Sequence, residues 1–524
     1  MLLMDATNIK HYVIDRLLLD IPKLQIFSKD RIGLVGKNGT GKTTLMNILA
    51  KRITPSEGSV NMEGTYDILP QLKRSDTTKS GGEITQEYIT AALSKDPAIL
   101  FADEPTTNLD TNHIEWVEKK LANWQGALVI VSHDRAFLDA LCTTIWEISA
   151  AGKLTVHKGN YSDFSTKKEL EKQQHEMAYE KYQRKKKQLE EAIDRKSNKA
   201  DKATKKPKSL SSSEAKITGS KPYFAKKQKK LQQNAKAIET RLEKLEKVEK
   251  PFETKGIKMT LPNEEDVKGR ILLRAVEATG MAGSRKLWDP VSFHILGGEK
   301  LAIIGPNGSG KTTLVKMIMN KSESLSLSPS MKIGYFSQNL SILNTNSSIL
   351  ENVQTTSIQD ETFIRTVLAR LHFKRDDVYK KVDVLSGGER VKVALAKLFV
   401  SNSNTLVLDE PTNYLDIEAV EALEGLLQEY EGTVLFVSHD RRFVENIATR
   451  ILAIKHQKIE LFDGTLQQYH AYEPAQERDL SVEKLAVLET KIADVLSRLS
   501  IEPTAELEAE FQKLLSEKRR LKKL

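Results

Sequence analysis

The sequence predicts an α/β chain in which two copies of one parallel-sheet unit stand in tandem, joined by an antiparallel α-helical hairpin and followed by a short helical extension. Three observations predict it. One glycine-rich pattern occurs twice, each time after a short apolar run and before helix-compatible sequence. Apolar residues at coiled-coil spacing flank a basic stretch between the two copies. Past the second copy, two apolar stripes at helical spacing are separated by Pro503.

The repeated pattern is Gly36-Lys37-Asn38-Gly39-Thr40-Gly41-Lys42-Thr43 and Gly305-Pro306-Asn307-Gly308-Ser309-Gly310-Lys311-Thr312. Ile32 to Val35 and Leu301 to Ile304 precede the two copies and suit buried parallel strands. Glycines at this spacing let backbone N–H groups close around phosphate oxygens at a helix N-terminus. The lysine then reaches the β- and γ-phosphates, and the Thr hydroxyl takes Mg²⁺. The expected ligands are therefore ATP and Mg²⁺.

Each half continues with an apolar run ending in a carboxylate pair, Asp103-Glu104 and Asp409-Glu410. An Asp at a strand end beside a phosphate loop can hold Mg²⁺, and the adjacent Glu can deprotonate an attacking water. His133 and His439 follow further apolar runs in Val131-Ser132-His133-Asp134-Arg135 and Val437-Ser438-His439-Asp440-Arg441. A histidine duplicated at one offset from a phosphate site reads as a γ-phosphate contact. Ser80-Gly81-Gly82 and Ser386-Gly387-Gly388 are each poised to open a helix and offer N–H groups to a phosphate. Each half already has a phosphate loop, so this second anion site is redundant unless it serves the other half.

The hairpin comes from Leu231, Ala235, Ile238, Leu242 and Leu245 on one side and a weaker seam of Tyr182, Leu189 and Ile193 on the other. Pro207 to Pro222, with Ser209 to Ser213 and Gly219, does not favour helix and makes the tip. Charge concentrates here. The chain has 80 Lys+Arg against 71 Asp+Glu, a net +9. Residues 167 to 250 hold 26 basic and 13 acidic residues, a net +13, which leaves the rest at −4. Between Arg195 and Lys230 the balance is 13 basic to 2 acidic. Such density is the footprint of a phosphate-backbone binder, carried by Lys199, Lys202, Lys205, Lys206, Lys208, Lys216, Lys221, Lys226 and Lys227. Tyr223 and Phe224, beside the tip, read as packing in the hairpin's neck.

The extension is read as a second hairpin. Leu485, Leu488, Ile492, Val495 and Leu499 form one stripe, and Leu507, Phe511, Leu514 and Leu521 form the other. The expected organisation is a first nucleotide-binding domain at 1–165, a linker at 166–252 with its tip at 203–222, a second nucleotide-binding domain at 253–474 and the extension at 475–524. A single cysteine, Cys142, excludes an internal disulfide and a multi-cysteine metal site. No stretch approaches the ~18–20 apolar residues of a membrane span, and the first twenty residues lack a signal-peptide pattern. A cytoplasmic protein is expected.

Taken together, these motifs resemble the ATP-binding-cassette (ABC) ATPases. The resemblance implies composite sites. Site one would take Gly36 to Thr44, Gln71, Asp103, Glu104 and His133, with Ser386, Gly387 and Gly388 supplied in trans. Site two would take Gly305 to Thr313, Gln338, Asp409, Glu410 and His439, with Ser80, Gly81 and Gly82 in trans. Asp110 and Asp416 match the D-loops that cross between halves. Mg²⁺ would be held by Thr43, Gln71 and Asp103, and by Thr312, Gln338 and Asp409. Tyr12 stands where the family stacks an aromatic on adenine, and the second half has Met281 there. Gln71 to Ser80 spans 9 residues against 48 from Gln338 to Ser386, so the first half lacks most of the family's helical subdomain.

Two cassettes in one chain with a charged helical linker, Gly159-Asn160-Tyr161-Ser162-Asp163-Phe164 before it and Asp409 to Asn413, resemble the ABC-F translation factors. Thr204 to Ser211 and Leu496 to Pro503 are similar to the Vga-type antibiotic-resistance members. That resemblance implies a monomer with an intramolecular cassette pair that needs no other protein subunit and no membrane. It would bind the E site of the bacterial 70S ribosome with ATP bound. Its linker tip would approach 23S rRNA, the P-site tRNA and the peptidyl-transferase centre, releasing lincosamide, pleuromutilin and streptogramin A antibiotics. Hydrolysis would free it. The alternatives are a housekeeping ABC-F factor that rescues stalled ribosomes, the ATPase subunit of a drug exporter, and a DNA-repair ATPase with longer coiled coils.

Overall fold

The computed structural model describes residues 1–69, 81–107, 109–202, 220–249, 267–337, 340–373, 376–472, 495, 511 and 514. Its first half opens with a hairpin of two twelve-residue strands, β1 (Leu2–Val13) and β2 (Arg16–Phe27). β3 (Arg31–Gly36) runs into α1 (Lys42–Leu49) through the first glycine-rich loop, and β4 (Glu57–Met62) pairs back onto β1. Then come β5 (Tyr66–Leu69), α2 (Gly81–Ser94), β6 (Ile99–Asp103), α3 (Thr111–Asn123), β7 (Ala127–Val131) and α4 (Arg135–Leu141). β8 (Thr144–Ile148) and β9 (Leu154–Lys158) finish the main sheet, whose order is β5-β6-β7-β3-β8-β9. All its pairings are parallel except β8 with β9.

Every residue of β6 and of β7 is buried, because the sheet carries an apolar layer on each face. One layer joins it to the β1–β2–β4 sheet through Ile9, Ile21, Leu45 and Phe101, and the other to the helices through Val117, Leu128 and Phe137. A parallel strand covered twice must read as a continuous apolar run, and these do up to the terminal Asp103 of β6. The phosphate loop leaves β3 between β7 and β8, at the strands' carboxyl ends, where open α/β sheets place their ligands.

Two helices form the linker. α5 (Tyr161–Lys202) is 42 residues long, and α6 (Ser220–Glu243) packs back against it. The expected seam Leu231, Ala235, Ile238, Leu242 and Leu245 is half-buried, as are Tyr182, Leu189 and Ile193. Tyr179, whose ring lies 6.5 Å from that of Tyr182, adds to the weaker side. Tyr161 to Phe164, read above as the close of the first unit, form the first turn of α5 itself. The tip residues Lys205, Lys206, Lys208 and Lys216 lie outside the described residues.

The second half repeats the plan. β10 (Ile271–Ala282) and β11 (Arg285–Leu296) form the hairpin, and β12 (Lys300–Ile304) enters α7 (Lys311–Met319) through the second loop. β13 (Leu325–Leu327) pairs with β10. β14 (Ile333–Phe336) leads to α8 (Ile349–Gln354) and α9 (Glu361–Arg370), whose Ile349, Val353, Ile364 and Leu368 enter the core. This is the helical subdomain, and in the first half only residues 70–80 occupy the corresponding interval. α10 (Gly387–Phe399), β15 (Thr405–Asp409), α11 (Ile417–Glu429), β16 (Thr433–Val437), α12 (Arg441–Ile447), β17 (Arg450–Lys455), β18 (Lys458–Asp463) and α13 (Leu466–Ala471) complete it. Its sheet order, β14-β15-β16-β12-β17-β18, matches the first. Of the C-terminal hairpin expected at 475–524, all but Val495, Phe511 and Leu514 lies outside the described residues.

Candidate nucleotide sites at the cassette interface

Both phosphate loops have one geometry. Gly39 and Gly308 sit at φ 77° and 75°, and a Cβ added at either meets no atom within 4 Å, so it is the left-handed backbone rather than crowding that calls for glycine there. Lys42 Nζ donates to the Gly36 and Lys37 carbonyls at 2.6 and 3.1 Å, and Lys311 Nζ to those of Gly305 and Pro306 at 2.9 and 3.0 Å. Burial lowers the pKa of both lysines, while nearby carboxylates oppose the shift.

The carboxylate pairs stand at the ends of β6 and β15. Asp103 accepts a hydrogen bond from the Thr43 hydroxyl, and Asp409 from that of Thr312. Burial raises both aspartates above the usual carboxylate range, and these hydroxyls and the adjacent lysines hold them back. Burial, with Asp103 beside it, pushes Glu104 up to about 8; burial does the same to Glu410, against the pull of Lys311. Glu104 Oε1 and Glu410 Oε1 are buried without a hydrogen bond, at 3.4 and 3.3 Å from His133 Nε2 and His439 Nε2. Burial, reinforced by Lys42 and Lys311, drives these imidazoles down to about 4 and about 3, so both are neutral at pH 7.

A feature the motifs did not announce is the backbone of the two glutamates. Glu104 and Glu410 are left-handed, at φ 51° and 52°. Non-glycine residues rarely adopt this conformation, and it costs of order 1 kcal/mol or more. Hydrogen bonds from their N–H groups to Val131 O (2.8 Å) and Val437 O (3.0 Å) hold it.

The two halves meet across these loops. Asp416 Oδ2 accepts from the Asn38 N–H at 3.0 Å, while its other oxygen caps α11 through Ala419 N–H. Reciprocally, Asp110 Oδ2 accepts from Asn307 N–H at 2.7 Å, and Oδ1 caps α3 through His113 N–H. Burial alone would raise both aspartates, but Lys392 beside Asp416 and the N–H donors on both outweigh it, and their pKa values fall. Asn38 Nδ2 donates to Tyr414 O at 3.2 Å, and a Cβ built on Gly388 would lie 3.3 Å from that nitrogen. The second half's Ser-Gly-Gly turn thus stands against the first half's phosphate loop. Ser386 caps α10, exchanging hydrogen bonds with Glu389. Gly81 and Gly82 open α2, while Ser80, Gln71 and Gln338 lie outside the described residues.

Beneath the loops, each half sends an arginine into the other. Arg135 pairs with Glu424 in a buried contact, and Arg441 with Glu118 at 2.5 Å. Sequence reading missed these four residues. Their signal was present, since each glutamate falls eight residues after its D-loop aspartate and each arginine two after its histidine. Tyr12 and Met281 occupy one register position in their hairpins, facing Leu17 and Lys286, and both are exposed. Lys199 and Lys226 are exposed on α5 and α6, and Lys202, Lys221 and Lys227 fall within the same helices.

Among the described residues no helix is long and apolar enough to cross a membrane. The family model described as ABC transporter matches residues 19–75 and 288–413, and a second model of that description matches 147–261. The erythromycin resistance ATP-binding protein MsrA of Staphylococcus epidermidis is 34% identical over 484 residues, covering 86% of this chain and 97% of that protein. The ribosome protection protein VmlR of Bacillus subtilis is 31% identical over 526 residues, covering 94% and 93%. A solved structure titled RNase-L Inhibitor has the same fold, with a TM-score of 0.59 at 18% identity over 88% of this chain and 91% of that one. Two ABC cassettes closed on each other through duplicated phosphate loops make this chain an ATP hydrolase, and it belongs to the ABC-F family.

Proposed function

We propose that this ATPase acts in the cytoplasm on the bacterial ribosome, entering the E site with its cassettes closed on ATP and directing its linker tip toward the P-site tRNA and peptidyl-transferase centre. There it displaces lincosamide, pleuromutilin and streptogramin A antibiotics, and hydrolysis reopens the cassettes and frees it. One observation carries the reading: a basic helical hairpin leaves a closed cassette pair in a chain whose relatives are named for ribosome protection and erythromycin resistance. The clustered lysines supply the attraction to rRNA phosphates, and the tip meets irregular or single-stranded RNA.

In each site the phosphate loop and lysine bind the ATP phosphates. Glu104 and Glu410 take a proton from the attacking water at a carboxylate oxygen as the bond to the γ-phosphorus forms and the bridge to the β-phosphate breaks. His133 and His439, being neutral, donate one N–H to the γ-phosphate. Asp110 and Asp416 hold each loop against the opposite half. Tyr12 stacks on adenine in site one. The Asp103–Thr43 and Asp409–Thr312 pairs present an all-oxygen donor set that suits a hard cation. With Gln71 and Gln338 they would hold Mg²⁺, which supplies neutralisation of phosphate charge.

The test uses a Glu104→Gln, Glu410→Gln double variant cosedimented with bacterial 70S ribosomes in ATP and rising salt, with lincomycin or erythromycin bound. Retention in ATP, loss at high salt and eviction of lincomycin support the reading. Eviction of erythromycin alone would move the drug range toward that of MsrA, and retention without eviction would leave a housekeeping translation factor. Absence of ATP-dependent retention would overturn it in favour of an exporter subunit.

A further inference from the structure

The two halves share their phosphate-loop lysines, catalytic glutamates, histidines and D-loop aspartates position for position. One contact beneath the linker sets them apart. Arg442 is the second residue of α12, three residues after His439 and next to the cross-half Arg441. Its Nη2 donates at 2.7 Å to Asp139 Oδ2 on α4 of the first half, and at 2.7 Å to Ser162 Oγ, the second residue of α5. Ser162 is itself held to Asp139, through its N–H at 2.7 Å and its hydroxyl at 2.8 Å. The guanidinium lies 5.7 Å from the centroid of the Tyr161 ring, and the Tyr161 hydroxyl donates to Glu421 on α11 at 3.4 Å. Tyr161 is buried. The root of the linker is therefore gripped from the second half by α11 and α12 while its chain issues from the first.

Among the described residues no equivalent contact stands on the other side. Counting from the histidines, the partner of Arg442 is Ala136; counting from Gly159 and Gly464, the partners of Tyr161 and Ser162 are Leu466 and Gln467. Alanine has no donor to reach with. The carboxylates Asp139 and Glu421 have counterparts in Glu445 and Glu115, so the contact is set apart by Arg442 in the second half and by Tyr161 and Ser162 at the linker root.

We propose that Arg442 is the residue that couples cassette closure to linker orientation. The inference rests on the reading above only in treating the linker as the working arm. When the halves close, the α12 that follows His439 delivers Arg442 to Asp139, Ser162 and the Tyr161 ring, which fixes the first turn of α5 relative to the second half. A 42-residue helix held at its root carries that orientation to its own far end, some 60 Å away at about 1.5 Å per residue. When the halves part, the grip is lost and the hairpin is held by the first half alone. Arg442 touches neither phosphate loop nor catalytic glutamate, so it is a positioning residue.

The experiment measures distances by pulsed electron resonance on free protein in the Glu104→Gln, Glu410→Gln background, so failure of the ribosome reading does not enter it. Spin labels at Lys187→Cys on α5 and Glu460→Cys on β18, both exposed, follow the linker against the second half. A second pair at Lys51→Cys and Glu460→Cys follows closure. The native Cys142 is buried and its thiol is pushed up to about 12, so it stays unlabelled. The expected result is that ATP narrows both distributions in the parent. In Arg442→Ala, closure still narrows but the linker distribution stays as broad as without ATP. Ser162→Ala, which keeps the Arg442–Asp139 pair, should also broaden the linker distribution. ATP-dependent narrowing of the linker distance in Arg442→Ala, equal to the parent's, overturns the proposal. So does loss of closure in that variant, which would make Arg442 a closure contact and no coupler.

Discussion

Replacing Arg135 by Met should open the cassette pair more than any other single substitution at the interface outside the ATP sites. Arg135 and Glu424 are 5% and 8% exposed, and the guanidinium engages both carboxylate oxygens. Without Arg135, Glu424 keeps only the Asn446 amide at 3.0 Å. Breaking a buried ion pair by removing one partner costs about 3–5 kcal/mol. That cost falls on the closed state, because Glu424 can face water once the halves separate. Converted at about 1.4 kcal/mol per tenfold, closure weakens by roughly 140- to 3,700-fold. Arg441 and Glu118 are 22% and 16% exposed, so solvent screens them more and Arg441→Met should cost about 1–2 kcal/mol. The assay is ATP-dependent closure in the hydrolysis-deficient background, read as a distance between the halves over an ATP titration. An Arg135→Met, Glu424→Met double variant should recover part of the loss, since it removes the stranded Glu424 charge while Asp440, 3.9 Å from Arg135, still loses its neighbour. Closure within about threefold of the parent in Arg135→Met would refute the reasoning. So would a double variant as impaired as the single.

Four further outcomes are expected. Glu104→Gln with Glu410→Gln should lower phosphate release by about 10²–10⁴-fold while nucleotide binding persists, and loss of binding would mean the carboxylates act structurally. Tyr12→Ala should weaken nucleotide affinity at site one by about 2- to 12-fold, the range of an aromatic stack, and Met281→Ala should affect site two less; equal effects would remove the assignment of Tyr12 to the base. Burial raises Asp440 to about 6, against the pull of Arg135, so its ionisation costs stability as pH rises from the ordinary carboxylate range to that value. Asp440→Asn should therefore gain on the parent in unfolding free energy between pH 4 and pH 7, by about 1–3 kcal/mol, and a flat difference would show that Asp440 does not titrate there. Lys199→Glu and Lys226→Glu should each reduce the salt slope of ribosome binding by about 1 or more, with ATPase activity unchanged in the free protein; an unaltered slope would take these lysines out of the RNA contact.

The parts of this molecule that could be read from residues alone are those that physics forces into periodic or contiguous patterns. The apolar runs of β6, β7, β15 and β16, interrupted only at their ends by Thr405, Thr433, Asp103 and Asp409, announced a sheet buried on both faces. The steps of four and three from Leu231 to Leu245 marked the half-buried side of α6 and the residues just past its end. The seam of α5 was weaker because Tyr179 and Tyr182 supply much of it, and a polar tip on an apolar ring blurs the pattern. The left-handed backbone of Glu104 and Glu410 was invisible, since a motif specifies side chains and leaves φ to the surrounding strands. Arg135 and Glu424 were missed for another reason. They lie 289 residues apart, and isolated charges in a chain this rich in Lys, Arg, Asp and Glu read as solvated surface.

Comparing the halves separates what ATP demands from what the linker demands. Both copies carry the phosphate loops with their left-handed glycines, the strained glutamates, the neutral histidines, the D-loop aspartates and the cross-half arginines. These are the features that two equivalent sites need. The features found once are of a different kind. Lys37 pairs with Glu418 at 2.8 Å across site one, whereas site two has Pro306 and Asn112 in their places. Among the described residues, α8 and α9 have no counterpart in the first half, and the linker root is reached across the interface through Arg442 and Glu421. Duplication alone would leave both halves with the same exterior. Divergence that spares the catalytic residues and falls on the margins of the sites, the helical subdomain and the root of α5 implies that the two cassettes share one chemistry but have separate mechanical tasks. The first bears the arm, and the second, by closing, sets where it points.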